Sequence, residues 1–581
     1  MSESATEKER FADIDTIVRL HHGDPDNLIE ILHAAQQLSG WLDRDLLAYL
    51  AVRLRLPPSL VYGVASFYHA FRLTTPGHHA CTVCIGTSCH IKGGTTILRE
   101  LERRLAIGAG MSLPDGSLSL NSVRCLGVCE SAPLVMLDGV ALGGVTPTEL
   151  GDEVSRRHAA DDWPTGAGWP DSPEPVLPVV GYEALLSVLN TQTPEQVCAV
   201  ISASGLRGRA GGGYPTGLKW ELVRRAPGKR KYLVANGDEG DPGAFMDRTI
   251  MESDPHRLLE GMAIGGYATG ADCGFVYVRG EYPLAARRLR RAIMEAEAAG
   301  FLGTHIRGSG FSFRIRLRIG AGAFVCGEET ALMASVMGRR GQPVIRPPYP
   351  AQQGLWGYPT LINNVETFSC IAPIIRNGAA WFSSVGTPGN SGTKVFSISG
   401  DVATVGVYEV PLGTTLREIL AMAGGVVGGD FKAAQTGGAG GGCIPAACLD
   451  LPIDYDSLKP IGTTMGSGGL IILNDRRCMP DLARFFMEFC LDESCGKCTP
   501  CRAGTRQAVG LLAGITAGTG RREDLARLEE ICLLMRDASL CGLGMSAPNP
   551  VLGTLRWFRE EYEAHLHDGR CPSGVCGMEA R

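Results

Sequence analysis

The feature that most limits what this chain can become is a run of three cysteines, Cys495-Gly-Lys-Cys498-Thr-Pro-Cys501, with Cys541 further on in Ser539-Leu-Cys541-Gly-Leu-Gly. Thiolates at this spacing can grip three corners of a cubane while the chain wraps it, and a distant cysteine closes the fourth. Zinc sites usually arrive as two separated CxxC knuckles instead. Structural thiols need no spacing at all. The CxxCxxC run with a distant fourth cysteine favours a [4Fe–4S] cluster over zinc, so the C-terminal part is expected to fold around one.

A second set pairs Cys84-x4-Cys89 with Cys125-x3-Cys129, each pair at the end of a candidate strand. Four such ligands suit a [2Fe–2S] rhomb, and on spacing alone zinc stays open as a rival. Cys81 lies outside the pairs and reads as a packed thiol. Cys571 and Cys576 form a third pair near the C-terminus. Two thiols cannot complete a cluster alone, so a free tail and ligation with another chain both stand. Cys198, Cys273, Cys326, Cys370, Cys443, Cys448, Cys478, Cys490 and Cys532 read as mostly buried small hydrophobes.

Compartment bears on this reading, because 20 cysteines in an oxidising environment would suggest disulfides. The N-terminus, Met-Ser-Glu-Ser-Ala-Thr-Glu-Lys, is polar and lacks an apolar signal core. Metal ligation and a cytoplasmic setting are therefore expected. No uninterrupted apolar stretch of about 18 residues is present, so no membrane span is expected. A net charge of −6 with no basic tract argues against nucleic-acid binding. Length, 581 residues, argues for several domains.

The pattern along the chain gives an α/β multidomain protein. Residues 1–78 read as a helical bundle, with Leu28, Ile31, Leu32, Ala35 and Leu38 at helical spacing and Ser59 as a candidate cap for a helix from Leu60 to Phe71. Residues 79–156 read as a small α/β domain with strands at 80–83, 122–124 and 134–137 and a helix at 95–105. A linker is expected over 157–179, where Pro164, Pro170, Pro173, Pro175 and Pro178 cluster. Residues 180–390 alternate strands and helices, 391–472 are strand-rich, 473–566 are helical, and 567–581 form a tail. One helix is expected to run from Val551 to His565.

Three loops are dense in glycine and charge. Leu206-Arg-Gly-Arg-Ala-Gly-Gly-Gly-Tyr-Pro-Thr-Gly-Leu-Lys-Trp220 offers bare backbone NH groups for a phosphate, with Arg209 and Lys219 to neutralise it. It is neither a Walker loop nor a Rossmann fingerprint. The acidic segment Asn236 to Arg248 and the segment Gly320 to Thr330 could accept hydrogen bonds from ribityl or ribose hydroxyls. Together with Arg346-Pro-Pro-Tyr-Pro350, Asn363-Asn-Val-Glu-Thr367 and Glu493 to Arg502, these segments resemble the flavin subunit of respiratory NADH dehydrogenase and its soluble relatives. Residues 26–155 resemble the small [2Fe–2S] subunit of the same system. The fusion of the two is similar to the large diaphorase subunit of cytoplasmic NAD-reducing nickel–iron hydrogenases, and also to the beta subunit of NAD-dependent formate dehydrogenases.

That resemblance implies a thioredoxin-like [2Fe–2S] domain behind the bundle, a Rossmann-like FMN domain, a β-grasp-like (SLBB) domain and a helical [4Fe–4S] domain. It implies FMN held by Gly208, Arg209, Gly211, Lys219, Asn236, Asp238, Glu239, Gly327, Glu328, Asn363 and Asn364. NAD would meet Tyr214, Asp241, Glu329, Arg346 and Tyr349, with the aromatics stacking. The family pattern changes at Ala210 for glycine, Tyr214 and Tyr349 for phenylalanine, Arg346 for lysine, and Asp241 for glutamate, which shortens reach. It further implies that hydride would pass between NADH and FMN with no catalytic acid or base, although Glu329 would be nearby. The implied partners are a small iron–sulfur diaphorase subunit and hydrogenase or formate dehydrogenase subunits.

Overall fold

A computed structural model of the chain describes residues 11–164 and 181–578. The described residues divide into two units. One gathers residues up to 164 with Tyr277–Ala286 and Leu317–Gln342; the other holds the rest.

The first unit begins with helices Ala12–Leu20, Leu28–Ser39, Arg44–Leu54 and Pro58–Ala65. Leu28, Ile31, Leu32 and Ala35 are all buried, so the apolar spacing marks the inward face. Asp43 caps the third helix by accepting the Leu46 amide at 2.7 Å. The fourth differs from expectation. It starts at Pro58, after Pro57 rather than Ser59 as cap, and ends at Ala65 rather than reaching Phe71. Proline suits the first helical turn, where its missing NH costs nothing.

Next come strands β1 (His79–Cys84), β2 (Met111–Ser112), β3 (Leu118–Val123), β4 (Leu134–Leu137) and β5 (Val140–Gly143), in the order β2-β3-β1-β4-β5. β1 runs parallel to β3 and antiparallel to β4, and β4–β5 is a hairpin. This is a thioredoxin-like arrangement, with helices Gly94–Leu105 and Pro147–Ala160 on the sheet. Thr146 and Glu149 form a capping box at the second. The expected linker start at 157 is corrected. The helix runs through Ala160, and Trp163 packs into the domain core with its ring stacked on His79 at 4.7 Å. Most of the proline-rich linker, from residue 165 to 179, lies outside the described residues, as do the first residues of the N-terminus.

In the second unit, β6 (Tyr232–Gly237), β7 (Cys273–Val278), β8 (Arg314–Ile319) and β9 (Thr360–Asn364) form a sheet in the order β8-β7-β6-β9, and the unit boundary cuts β7 and β8. β6 and β9 are parallel, with Asn236 beside Asn364 at their carboxyl ends. A hairpin, β10 (Gly386–Thr387) with β11 (Asn390–Ser391), precedes the next sheet. Strands β12 (Thr393–Gly400), β13 (Gly406–Pro411), β14 (Phe431–Thr436), β15 (Cys443–Pro445) and β16 (Gly469–Asn474) follow in the order β13-β12-β16-β14-β15 around their own apolar core. The C-terminal helices are Met479–Asp492, Thr499–Thr516, Asp524–Ala538, Asn549–Trp557 and Arg559–His567. The single helix expected over 551–565 is therefore two, broken at Phe558, whose φ is −139°. No helix among the described residues is long and apolar enough to cross a membrane.

Candidate redox site

The loop from Leu206 to Thr216 closes on itself. Gly208 N donates to Tyr214 O and Thr216 N to Leu206 O, both at 2.9 Å. It leads directly into helix Thr216–Arg225, whose first amides have no intrahelical acceptor. Lys219 lies in the first turn. The glycines divide into two kinds. At Gly211, φ is +116° and a Cβ would stand 3.1 Å from Gly466 backbone, so the fold itself requires glycine. At Gly212 a Cβ would meet nothing within 4 Å. Gly212 therefore carries no requirement of the protein's own and faces open space. The sequence reading did not single it out; its place at the loop tip was the available signal.

Arg209 behaves differently from its expected role. Its side chain is fully buried. Its guanidinium donates to Arg207 O at 3.2 Å and Ser391 O at 2.7 Å, so it organises the loop's base. Arg207, outside the expected set, braces the same loop through Asp456 at 2.7 Å and lies over the Tyr455 ring at 4.6 Å. Tyr455 donates to Gly208 O at 2.8 Å, and burial pushes its hydroxyl up to about 12.

A chain of buried hydrogen bonds ties the loop to the strand ends. Arg209 N donates to Thr367 Oγ1 at 2.9 Å, and Thr367 Oγ1 donates to Asn364 Oδ1 at 2.9 Å. Asn364 Nδ2 donates to Asp247 Oδ2 at 2.7 Å, and Asp247 N donates to Glu239 Oε1 at 2.9 Å. Arg209, Asn364 and Glu239 are thus joined through Thr367 and Asp247, two residues of the quoted motifs that were not among the expected site residues. Burial, followed by the charges of Glu239 and Glu366, pushes Asp247 well above the ordinary carboxylate range. Asn363 accepts from Trp220 Nε1 at 3.0 Å, which fixes the helix carrying Lys219 against β9. Asn236 Oδ1 turns the acidic loop by accepting Asp238 N at 3.0 Å. Asp241 accepts from Ser467 Oγ at 3.0 Å. Tyr214 and Tyr349 are 48% and 53% exposed, and Arg346 lies on the same exposed loop as Tyr349. In the first unit, Gly327 ends a short turn. Glu328 caps helix Glu329–Val336 by accepting the Thr330 and Ala331 amides at 2.9 Å.

The structure brings the members of each cysteine set near one another. In the first unit Cys84, Cys89, Cys125 and Cys129 are all buried among Leu126, Ala132 and Leu134. Cys125 Sγ and Cys129 Sγ are 4.0 Å apart. A Cβ on Gly86 would stand 3.0 Å from Cys125, and one on Gly94 2.7 Å from Cys84 O, so bare backbone lets the two pairs close in. The hydrogen bond with Cys125, then burial, pushes the Cys129 thiol far above its ordinary value. Four thiols in so apolar a pocket need a cation to become thiolates together, and a diiron cluster supplies one. In the second unit Cys498 precedes helix Thr499–Thr516 and Cys541 precedes Gly542–Ser546. A Cβ on Gly544 would stand 2.9 Å from Cys501 Cβ, which presses the Cys541 turn onto the cysteine run. Burial pushes Cys501 up to about 11, opposed by a Ser494 hydrogen bond and reinforced by Cys498, Cys541 and Cys495. These donors fit an iron–sulfur group.

One expectation about cysteine is overturned. Cys478 is not an isolated hydrophobe, and Cys571 and Cys576 are neither a free tail nor a pair without ligands in this chain. With His565 they form one cluster, with a donor atom of each within 4.8 Å of the others.

Comparison with known proteins agrees with this architecture. Residues 201–373 match the Nuo51 FMN-binding domain, and 14–156 the thioredoxin-like [2Fe-2S] ferredoxin. Residues 481–565 match the NADH-ubiquinone oxidoreductase-F iron-sulfur binding region, and 395–438 the SLBB domain. The chain is 36% identical to the NAD-reducing hydrogenase HoxS subunit alpha of Cupriavidus necator, covering 96% of this chain and 95% of that protein. It is 51% identical to the NADP-reducing hydrogenase subunit HndC of Solidesulfovibrio fructosivorans, covering 70% of this chain and 83% of that one. A solved NAD+-reducing [NiFe]-hydrogenase chain superposes with a TM-score of 0.81 at 33% identity, covering 94% of each.

Proposed function

The chain belongs to the family of NADH dehydrogenase-type flavin and iron–sulfur subunits that includes the alpha subunit of NAD-reducing hydrogenase, and from that premise we propose that it is the NAD(H)-handling diaphorase subunit of a multisubunit hydrogenase. One observation supports the hydrogenase partner: the whole-length likeness is to hydrogenase chains. The likeness to the hydrogenase alpha subunit runs through both the [2Fe–2S] module and the flavin module, over 96% of the chain. The likeness to an NADH-quinone oxidoreductase F subunit of Rhizobium meliloti covers 68%.

The residues divide the work between binding and conduction. Bound FMN would take two electrons together from hydride and pass them on singly, as iron–sulfur clusters require. The bare backbone of Gly212, the amides that follow Thr216 in the first turn of helix Thr216–Arg225 and the Lys219 ammonium would hold its phosphate. Asn236, Asp238, Glu239, Asn363 and Asn364, at the carboxyl ends of β6 and β9, would line the flavin, where open α/β sheets bind ligands. Tyr214, Asp241, Arg346 and Tyr349 would meet the dinucleotide. Cys495, Cys498, Cys501 and Cys541 would hold the [4Fe–4S] relay, and Cys84, Cys89, Cys125 and Cys129 the [2Fe–2S] cluster. No proton has to be moved by a side chain during hydride transfer.

Anaerobic titration of the cofactor-loaded chain with NADH tests this reading. Flavin absorbance should bleach near one equivalent, and cluster EPR signals should follow. A chain that binds FMN and both clusters yet shows no bleaching would defeat it.

A further inference from the structure

Cys478 immediately precedes helix Met479–Asp492, His565 lies in the last turn of Arg559–His567, and Cys571 and Cys576 follow that helix. Cys478 Sγ lies 3.5 Å from His565 Nε2 and 3.5 Å from Cys576 Sγ, and His565 Nε2 lies 3.4 Å from Cys576 Sγ. The Cys571 thiol completes the group, with all four donor atoms within 4.8 Å of one another.

We propose that these four residues bind a single zinc ion that fastens the C-terminal tail to the helical [4Fe–4S] domain. Geometry supports one ion. With Zn–S of about 2.3 Å and Zn–N of about 2.0 Å, a tetrahedron has S···S edges of about 3.8 Å and S···N edges of about 3.5 Å. The observed separations fall close to both. A disulfide is excluded between Cys478 and Cys576, since bonded sulfurs stand about 2.05 Å apart. An iron–sulfur cluster spreads its terminal ligands over two or four irons, whereas these donors converge on one point. Three cysteines and one histidine are a structural zinc set, and four protein ligands leave no position for a substrate.

The surroundings hold the histidine ready. His565 Nδ1 is 2.7 Å from Glu561 O, so it donates there and leaves Nε2 to face the sulfurs. Glu561 is fixed in turn: its Oε2 accepts Met479 N at 3.0 Å and its Oε1 pairs with Lys432 at 2.5 Å. Cys478 and His565 are buried, and Cys571 and Cys576 half-buried, so the tail supplies the outer two ligands. The ion would pin one end of helix Met479–Asp492. The other end leads through Ser494 into Cys495, the first ligand of the proposed [4Fe–4S] cluster. This inference does not depend on the diaphorase reading, because its readout is metal content.

The test uses the full-length chain as purified. Elemental analysis should find one zinc per chain beside iron and flavin, and zinc X-ray absorption should show three sulfurs and one nitrogen. Cys571→Ser with Cys576→Ser should lose the zinc while iron and flavin stay at wild-type levels. Should that variant fail to fold, the absorption spectrum of the wild-type chain decides alone. A zinc-free wild-type chain, iron at this site, zinc with another ligand set, or zinc retained by a folded double variant would each overturn the proposal.

Discussion

At Gly212 a single methyl separates the needs of the fold from those of a ligand. A Cβ there meets no protein atom within 4 Å, and its φ lies outside the left-handed region. Gly212→Ala should leave the melting temperature of flavin-free protein unchanged. FMN affinity should fall by roughly ten- to a hundredfold, the scale of a methyl forced into a filled space, about 1–3 kcal/mol. Equal flavin content after desalting in variant and wild type would remove this loop from the phosphate site. Asp247 offers a second test, by pH. Burial and its acidic neighbours raise its folded pKa above the unfolded value. The folded chain therefore keeps the proton longer than the unfolded one. The stability from this group is complete below about pH 4 and is lost as pH rises through the folded pKa. Asp247→Asn cannot titrate, so its melting temperature should fall less steeply across that window. Its acid-side value should be lower, because an amide NH2 replaces an acceptor for Asn364 or for Glu366 N, a cost of about 1–3 kcal/mol. Parallel melting curves across pH would show that Asp247 does not titrate as described.

Among the elements, strand β12 and helix Val365–Ser369 are joined by a fully buried ion pair, Lys394 Nζ to Glu366 Oε2 at 2.5 Å. Lys394→Met leaves a carboxylate buried without its cation, a loss of about 3–5 kcal/mol. The double variant Lys394→Met with Glu366→Gln should recover part of it. Equal melting temperatures for single and double variants would show that the pair is not the source. Nothing in the local sequence announces this pair, since Lys394 sits in an ordinary strand pattern. The helical spacing around Leu28 to Ala35 was legible because one face alone has to be apolar. The candidate iron–sulfur cysteines stood out because metal geometry restricts spacing. The break at Phe558 did not, as no glycine or proline marks it. It sits where the Lys432 ammonium lies 5.7 Å from the Phe558 ring and pairs with Glu561 in the next helix. The network through Asp247 and Thr367 and the partners of Cys571 were hidden for the same reason. Asp247 meets Asn364, and Cys571 meets Cys478, from distant parts of the chain, and only folding brings them together.

Over the whole molecule, the proposed flavin loops and the proposed cluster cysteines occupy separable parts of the fold. Within the second unit the glycine-rich loop and the sheet ends lie on elements distinct from helix Thr499–Thr516, which carries Cys501, and from the turns that carry Cys495, Cys498 and Cys541 ahead of their helices. Yet these parts touch. Asp241 presses on Gly438, where a Cβ would stand 2.3 Å from Oδ1, and Asn549 Nδ2 donates to Gly440 O at 2.7 Å. Loop Gly437–Gly442 therefore bridges the acidic segment and the C-terminal helices. Cys498→Ser should leave FMN bound and NADH able to reduce it, so transfer to a dye that accepts electrons from flavin should persist in part. Electron delivery to partner subunits should fall at least tenfold, since the first stepping stone is damaged. Cluster binding also contributes folding energy, and the bridge would carry any disorder back toward the flavin. The variant therefore has to show wild-type flavin content and size in solution before its rates are compared. If it does, and the complete NAD-coupled reaction still runs at the wild-type rate, Cys498 ligates no obligatory relay. Loss of the dye reaction in a variant that retains flavin would instead show that the bridge makes the two sites one functional unit.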